Sequence, residues 1–349
     1  MVNIDSLVRD NIKQLKPYTS ARDEFKGQAD IFLDANENAY GTPLQQARFN
    51  RYPDPYQWRL KEKIGAWLKI DPQWMFLGNG SDEAIDLLLR VFGQPGRDAV
   101  MIMPPTYGMY TVSAQINDLQ IVEAPLTPEF KIDRTVIKEK ANEQVKLLFV
   151  CSPNNPTGQA FAQNDIEWLA QHFKGIVIVD EAYIDFAPQK SALPLIGDFQ
   201  NLVVLRTFSK AWGSAAIRLG MAFANPQIIS WLNKIKMPYN VSGLTQEAAL
   251  RLLNNARQKE EYVNKIIEQR GWLAGELQKL PVVQQVFPSD ANFLLARFKD
   301  AERIYRYLME KGIIVRNRSN QLYCENCLRI TVGTEEENEK LINILRELG

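Results

Sequence analysis

Four apolar, β-branched runs recur along the middle of the chain: AVMIM (99–103), KLLFVC (146–151), GIVIVD (175–180) and LVVLR (202–206). Each is continuous rather than alternating, the pattern of a strand covered on both faces. Segments of helical period lie between them. SDEAIDLLLRVF (81–92) opens with Ser81 at an expected N-cap and two acids in its first turn, and NDIEWLAQHF (164–173) has the same amphipathic character. Strand, helix, strand repetition predicts an α/β fold with a mainly parallel sheet flanked by helices.

The last third has a different rhythm. Residues 257–279 form one long charged amphipathic pattern, ANFLLARF (291–298) reads as a strand, and DAERIYRYLMEKG (300–312) as a helix with an Asp cap and a terminal Gly. IIVR and LRITVG are short strands, and TEEENEKLINILREL is a closing helix with a Thr334-x-x-Glu337 capping box. The expected organisation is an N-terminal arm (1–39) lying on the small domain and the active site, a large ligand-binding domain (40–250), and a smaller α+β C-terminal domain (251–349).

A length of 349 residues suits two domains at about 150 each. The 41 basic and 41 acidic residues cancel, so the chain has no global field that would draw nucleic acid or an anionic membrane. No apolar run is long enough for a membrane span, and the mixed polar start MVNIDSLVRD is unlike a secretory signal; a cytoplasmic location is expected. Cys151, Cys324 and Cys327 are too few for a disulfide framework, and with His172 as the one histidine no metal site is expected. His172 ends an amphipathic helix, where a packing or surface role outweighs a catalytic one.

Ligands in such sheets bind beyond the C-terminal ends of the parallel strands. Side chains with chemistry fall there in order. In GNGSDEAID the backbone of Gly80, Ser81 and Asp82 can cradle a phosphate at a helix N-terminus, provided the Asp82 and Glu83 carboxylates turn away; a plain tight turn is the alternative. Tyr107 in PPTYGMY follows a strand and can stack on a flat ligand, or simply pack. Asn155 in CSPNNPTG offers an amide at a strand mouth. Asp180 ends an apolar run, where a carboxylate needs a partner, with Tyr183 beside it; a helix cap is the alternative. Lys210 and Arg218 sit among small residues after a buried strand. In a dry site the Lys210 amine becomes a nucleophile toward carbonyls. A carboxylate for a ring nitrogen, a carbonyl-reactive lysine, a stacking aromatic and a phosphate cup with an arginine together suit pyridoxal 5′-phosphate.

With SPNNPTG, VDEAY and the serine–lysine pair followed by Arg218, the chain resembles the fold type I pyridoxal-phosphate aminotransferases. LDANENAYG, RYPDP, GNGSDE, CSPNNPTG, VDEAYIDF, TFSKAWGSAAIRLG and CLRITVGTEEEN span nearly the whole chain and are similar, in order, to the histidinol-phosphate aminotransferase family. The resemblance implies that Lys210 holds the cofactor covalently and moves the proton between Cα and C4′. It implies that Asp180 pairs with the pyridine nitrogen, that Asn155 and Tyr183 bond the phenolic oxygen, and that Tyr107 stacks on the ring. Ser81, Asp82, Ser209 and Arg218 would hold the phosphate, with Thr207 assisting. Tyr52 would reach the phosphate of a neighbouring subunit's cofactor, implying a homodimer with shared sites.

For substrate, the resemblance implies Tyr18, Asn36, Arg316 and Arg329, with Arg318 a nearby competitor for the role of Arg316. The implied reaction is reversible amino transfer between L-histidinol phosphate and 2-oxoglutarate in histidine biosynthesis. An aromatic-amino-acid aminotransferase and a threonine-phosphate decarboxylase are rivals in the same fold. A cofactor-fold regulator would bring a basic DNA-binding segment, and a nicotinamide dehydrogenase a G-x-G-x-x-G after a strand; the sequence has neither.

Overall fold

The computed structural model describes residues 2–18, 30–44 and 49–348. Seven strands build the large sheet: β1 (Met75–Asn79), β2 (Ala99–Ile102), β3 (Gln120–Glu123), β4 (Val145–Cys151), β5 (Ile176–Asp180), β6 (Leu202–Thr207) and β7 (Leu219–Ala224). Their order is β1-β7-β6-β5-β4-β2-β3. Only β7 runs antiparallel to its neighbours; β6, β5, β4, β2 and β3 are parallel. The four apolar runs are β2, β4, β5 and β6. Their continuity has a simple cause: successive side chains alternate between two buried faces. In β5, Ile176 and Ile178 pack with Phe76, Leu88 and Phe92 on one face, while Val177 and Val179 pack with Leu148, Leu169 and Phe208 on the other.

Residues 4–14 depart from the expected arm on the small domain and the site. Ile4, Val8 and Ile12 are buried in the same apolar cluster as Leu89, Phe92 and Ile229, against the helices Ser81–Phe92 and Pro226–Ile235 of the large layer. The Arg9 N–H donates to the Val91 carbonyl at 3.0 Å, and Trp231 Nε1 donates to Asp5 Oδ1 at 3.0 Å. The segment is two short helices, Ile4–Leu7 and Asp10–Gln14, broken at Val8 and Arg9, and Ile4, Val8 and Ile12 still all enter the apolar space of the helix pair.

The C-terminal layer is a four-stranded antiparallel sheet, β10-β11-β9-β8, made of β8 (Val283–Val286), β9 (Phe293–Phe298), β10 (Arg316–Asn317) and β11 (Cys327–Thr331). The helices Ala256–Gln278, Ala301–Glu310 and Glu335–Arg346 bury Leu273, Leu277, Leu308 and Leu345 against Phe298 and Leu328. The Asp300 cap and the reciprocal Thr334–Glu337 capping box form as expected. Two contacts tie this layer to the large one beside the strand ends. Asp290 bonds Gly158 and Ala160 through its N–H and its carboxylate, and Arg270 Nη1 donates to the carbonyls of Phe186 and Ala291. Among the described residues no helix is long and apolar enough to cross a membrane.

Candidate active site

A hollow of about 180 Å³ opens at the C-terminal ends of β4, β5 and β6. Ser81, Asp82, Tyr107, Asn155, Asp180, Tyr183, Thr207, Ser209, Lys210 and Arg218 all line it. They come from distant parts of the sequence because parallel neighbours end at the same edge: Cys151 pairs with Asp180, and Asp180 with Leu205.

The phosphate cup begins where β1 hands over to the helix Ser81–Phe92. Gly80 takes φ +76° and is itself the N-cap, so Ser81 is the first helical residue rather than the cap expected of it. That register frees the Ser81 hydroxyl from capping. The Gly80 N–H donates to the Arg218 carbonyl at 2.8 Å, and a Cβ on Gly80 would lie 2.6 Å from Arg218 Nη2. Arg218, in the left-handed region at φ +51°, bonds Ser209 Oγ at 3.4 Å and the Ala215 carbonyl at 3.2 Å. The Ser209 N–H is held on Thr207 Oγ1 at 3.0 Å. Glu83 turns back to the Asn79 N–H and Asn240, as its charge requires. Asp82 does not turn away: its carboxylate lies 3.5 Å from Arg218 Nη2 and accepts from the Tyr107 hydroxyl at 3.4 Å. The guanidinium and the phenol draw it in where a phosphate alone would repel it.

Asp180 is 3% exposed at the floor. Burial pushes its carboxyl up to about 6, although hydrogen bonds from Tyr110 and the Ala182 N–H favour the charged form. The Tyr110 hydroxyl donates to Asp180 Oδ2 at 2.8 Å, and its ring stacks on Phe149 at 4.5 Å. Tyr110 escaped the sequence reading; its signal was the helical i+3 spacing from Tyr107. Cys151 also lines the hollow, but burial drives its thiol up to about 12, which leaves it inert. Lys210 is open to the hollow, with Nζ 5.5 Å from the centre of the Tyr183 ring. Its amine is lowered by loss of water and then by Arg329, with Asp180 opposing.

Asn155 joins the two layers. Its amide donates to the Tyr183 hydroxyl at 3.4 Å, and its oxygen accepts from Arg329 Nη1 at 2.6 Å. Arg329, on β11, lies 5.2 Å from the centre of the Phe293 ring and directly opposite Arg316 in register. Arg316 itself is exposed.

Other expected site residues are not gathered here. Tyr18 is 75% exposed and lines a separate hollow with Tyr56, Trp58 and Lys61. That hollow is larger, about 600 Å³, but no carboxylate is among the described residues that line it. Asn36 is exposed with φ +53°. Tyr52 stacks on Tyr239 at 4.5 Å and leaves half its surface in solvent. His172 stacks on Trp168 on the outer surface, and Cys324 and Cys327 are buried thiols, one in the turn before β11 and the other its first residue. Among the described residues no group of three His, Cys, Asp or Glu could hold a metal ion.

Comparison with known proteins adds a second line of observation. The family described as aminotransferase class I and II matches residues 29–345. A Cytophaga hutchinsonii protein called histidinol-phosphate aminotransferase is 54% identical, over 99% of both chains. The crystal structure of the Clostridium acetobutylicum histidinol-phosphate aminotransferase is similar, with a TM-score of 0.78 and 26% identity, covering 86% of this chain and 91% of that one. The Sinorhizobium meliloti histidinol-phosphate aminotransferase, solved in complex with pyridoxal-5′-phosphate, shares the fold at a TM-score of 0.76 and 24% identity, covering 90% of each.

Proposed function

The chain belongs to the class I and II aminotransferases, and from that premise we propose that it exchanges an amino group between L-histidinol phosphate and 2-oxoglutarate, using pyridoxal 5′-phosphate. The observation that carries the cofactor reading is the hollow itself. It holds a buried carboxylate, an amine of lowered pKa and a glycine cup against an arginine within one small space. The donor set fits the group. Asp180 suits a pyridinium N–H, because an ionised carboxylate in so dry a place needs a cation. Tyr107 suits the ring face, and Asn155 with Tyr183 suits the phenolic oxygen. Gly80, Ser81, Asp82 through its backbone, Thr207, Ser209 and Arg218 suit the phosphate, which would displace the Asp82 carboxylate from Arg218.

When bound, the cofactor supplies the electron sink for a carbanion at the substrate Cα. Every other part of the reaction falls to the chain. With the cofactor bound, the Lys210 amine would hold it and would then move the proton off the substrate Cα; burial and Arg329 lower its pKa, which favours the neutral amine this needs. Asp180 would stand against the ring nitrogen and favour its protonated form. Arg329, fixed by Asn155 and Phe293, takes the anionic end of glutamate or of the phosphate ester. The Tyr107 and Tyr183 rings wall the space and exclude water. Arg316, opposite Arg329, stands at the rim.

Tyr52 reaching a second subunit's cofactor would make the working unit a homodimer. Its half-exposed ring, with Tyr18, Trp58 and Met237 also exposed nearby in sequence or space, is consistent with an uncovered face. The small polar substrate set suits a cytoplasmic enzyme.

The test is a pair of half-reactions on the holoenzyme. L-Histidinol phosphate should bleach the cofactor's visible absorbance at far lower concentration than L-phenylalanine, and 2-oxoglutarate should restore it. Bleaching by phenylalanine first would make the enzyme an aromatic transaminase. Carbon dioxide release from threonine phosphate would make it a decarboxylase.

A further inference from the structure

Tyr183 and Lys210 share the cofactor hollow but stand on separate chain segments, one leaving β5 and the other β6. The first segment is a single turn, Ile184–Phe186, with Tyr183 at its N-cap. The second is a loop closed by two bonds: the Gly213 N–H donates to the Lys210 carbonyl at 2.9 Å, and the Ser214 N–H to the Phe208 carbonyl at 3.1 Å. The helix Ala256–Gln278 of the C-terminal layer reaches both. Lys259, Val263 and Arg270, at steps of four and seven, lie on one face of it. Val263 is buried with Tyr183, Phe186, Ala211 and Phe293, and Arg270 holds the Phe186 carbonyl at 3.1 Å.

Lys259 is the buried charge that meets both segments. It is 5% exposed, and its Nζ donates to Asp185 Oδ1 at 2.5 Å and to Glu260 Oε1 at 2.9 Å. Asp185 is two residues beyond Tyr183. The same Nζ lies 5.7 Å from the centres of both the Trp67 and the Trp212 rings, and Trp212 is two residues beyond Lys210. The two indoles meet edge to face at 5.1 Å, and Trp212 stacks on Phe208 at 5.0 Å. Phe208 and Trp212 therefore anchor the loop on either side of Lys210. An apolar side chain at 259 would fill this space without the cost of burying an ammonium. What the ammonium adds is direction: a hydrogen bond aimed at Asp185 and an attraction to two ring faces.

We propose that Lys259 is a positioning residue for amino transfer: its ammonium, held by Asp185 and two indoles, ties the segment bearing Tyr183 to the segment bearing Lys210 and fixes their spacing across the hollow. The inference rests on Lys210 being the reacting amine. Lys210 Nζ stands 5.5 Å from the centre of the Tyr183 ring, and a shift of about 1 Å in such a pair can cost about 10²-fold in rate. Arg329 is held separately, by Asn155 and Phe293. Loss of the tie therefore acts on the rate at saturation and leaves the grip on the substrate's anionic end in place.

The experiment compares Lys259→Met, Lys259→Arg, Asp185→Asn and the double variant Lys259→Met/Asp185→Asn. As holoenzymes they are followed through the glutamate half-reaction. As apoproteins they are trace-labelled with acetic anhydride through a pH series, and acetylation of Lys210 is read by mass spectrometry. Lys259→Met should lower the saturated rate by about ten- to a hundredfold with the half-saturating glutamate concentration unchanged. In the apoprotein its Lys210 should label with a raised pKa. A loosened loop readmits water, and loss of water, ahead of Arg329 and Arg218, is what holds that amine down against Asp180 and Asp82. Asp185→Asn should move the labelling curve the same way, whereas a charge acting only through space would move it oppositely, since removing an anion lowers an amine's pKa. Lys259→Arg should recover part of both effects, because the cation and its carboxylate return. The double variant strands no buried charge, so it carries the test if Lys259→Met fails to fold; it should be no worse than Lys259→Met alone. Lower stability in urea with a parent-like saturated rate and an unmoved labelling curve would overturn the proposal. If the parent holoenzyme takes no amino group from glutamate, the functional reading fails, while the labelling curves still decide whether Lys259 sets the surroundings of Lys210.

Discussion

Removing one hydroxyl, in Tyr110→Phe, should change the charge state of the site's floor. Tyr110 is fully buried, and its hydroxyl makes the 2.8 Å bond to Asp180 Oδ2. The ring stacks on Phe149, so the phenylalanine keeps the packing and loses only the donor. A hydrogen bond to a charged acceptor contributes about 1.5–3 kcal/mol. At 1.36 kcal/mol per pKa unit, the Asp180 carboxyl should rise by about one to two units. In the parent apoprotein it lies at about 6 and is mainly ionised at pH 7; in the variant about half to nine-tenths of it should be protonated there. The stability sign follows. Because the folded pKa is above the ordinary carboxylate value, the folded state keeps its proton longer than the unfolded chain. Asp180 therefore costs stability as pH climbs from about 4 to about 6, by roughly 3 kcal/mol in the parent apoprotein. In Tyr110→Phe the loss should extend to about pH 7–8. The assay is infrared difference spectroscopy of the protonated carboxyl band through a pH titration of apoprotein, with Asp180→Asn marking the band. The apoprotein is the right state, because a protonated ring nitrogen beside Asp180 would pull its pKa back down. An unshifted band in the variant would refute the claim that Tyr110 holds the carboxylate.

Other outcomes follow from the same geometry. Gly80→Ala forces a Cβ into a backbone at φ +76° and against Arg218 Nη2; about 1 kcal/mol of strain and a displaced guanidinium should weaken cofactor retention on dialysis, read by visible absorbance. Lys210→Ala should slow the glutamate half-reaction by at least 10²–10⁴-fold, on the order of one lost proton-transfer group, and added methylamine should recover part of the rate in single-turnover experiments; no recovery would mean that the amine's chemistry is not what was removed. Glu181→Gln should cost about 3–5 kcal/mol in urea unfolding. It strands Arg206, whose 3.2 Å pair with Glu181 is nearly dry, and it weakens the bonds from Ser191 and Ala192. A loss under about 1 kcal/mol would show that Arg206 finds water instead.

Much of the architecture is legible in the chain because its code is local. The runs at 99–103, 146–151, 175–180 and 202–206 are strands wherever they lie, since both their faces must be covered. The Asp300 cap and the Thr334–Glu337 box need only their own helix ends. The cofactor residues Asn155, Asp180, Lys210 and Arg218 stand just beyond strand ends, and parallel pairing brings those ends to one edge. Motif order therefore sufficed to name most of the hollow's lining.

Tertiary packing decided the rest. The sequence does not say where β1, β3 and β7 join the sheet, and the antiparallel course of β7 depends on its neighbours β1 and β6. Ser81 reads as an N-cap from composition, but Gly80 takes that place because only glycine passes at φ +76° beside Arg218. Asp82 turns into the hollow because Arg218 and Tyr107, remote in sequence, meet it there. The N-terminal segment lies on the large layer because Ile4, Val8 and Ile12, on two short helices, find their complement between two longer ones, a match no local pattern reveals. Arg316 and Arg318 are both plausible ligands in sequence. Only the pairing of β10 with β11 leaves one exposed and strands the other's Nε beside Arg329, because burial of a charge is a property of the whole fold and not of the residue that bears it.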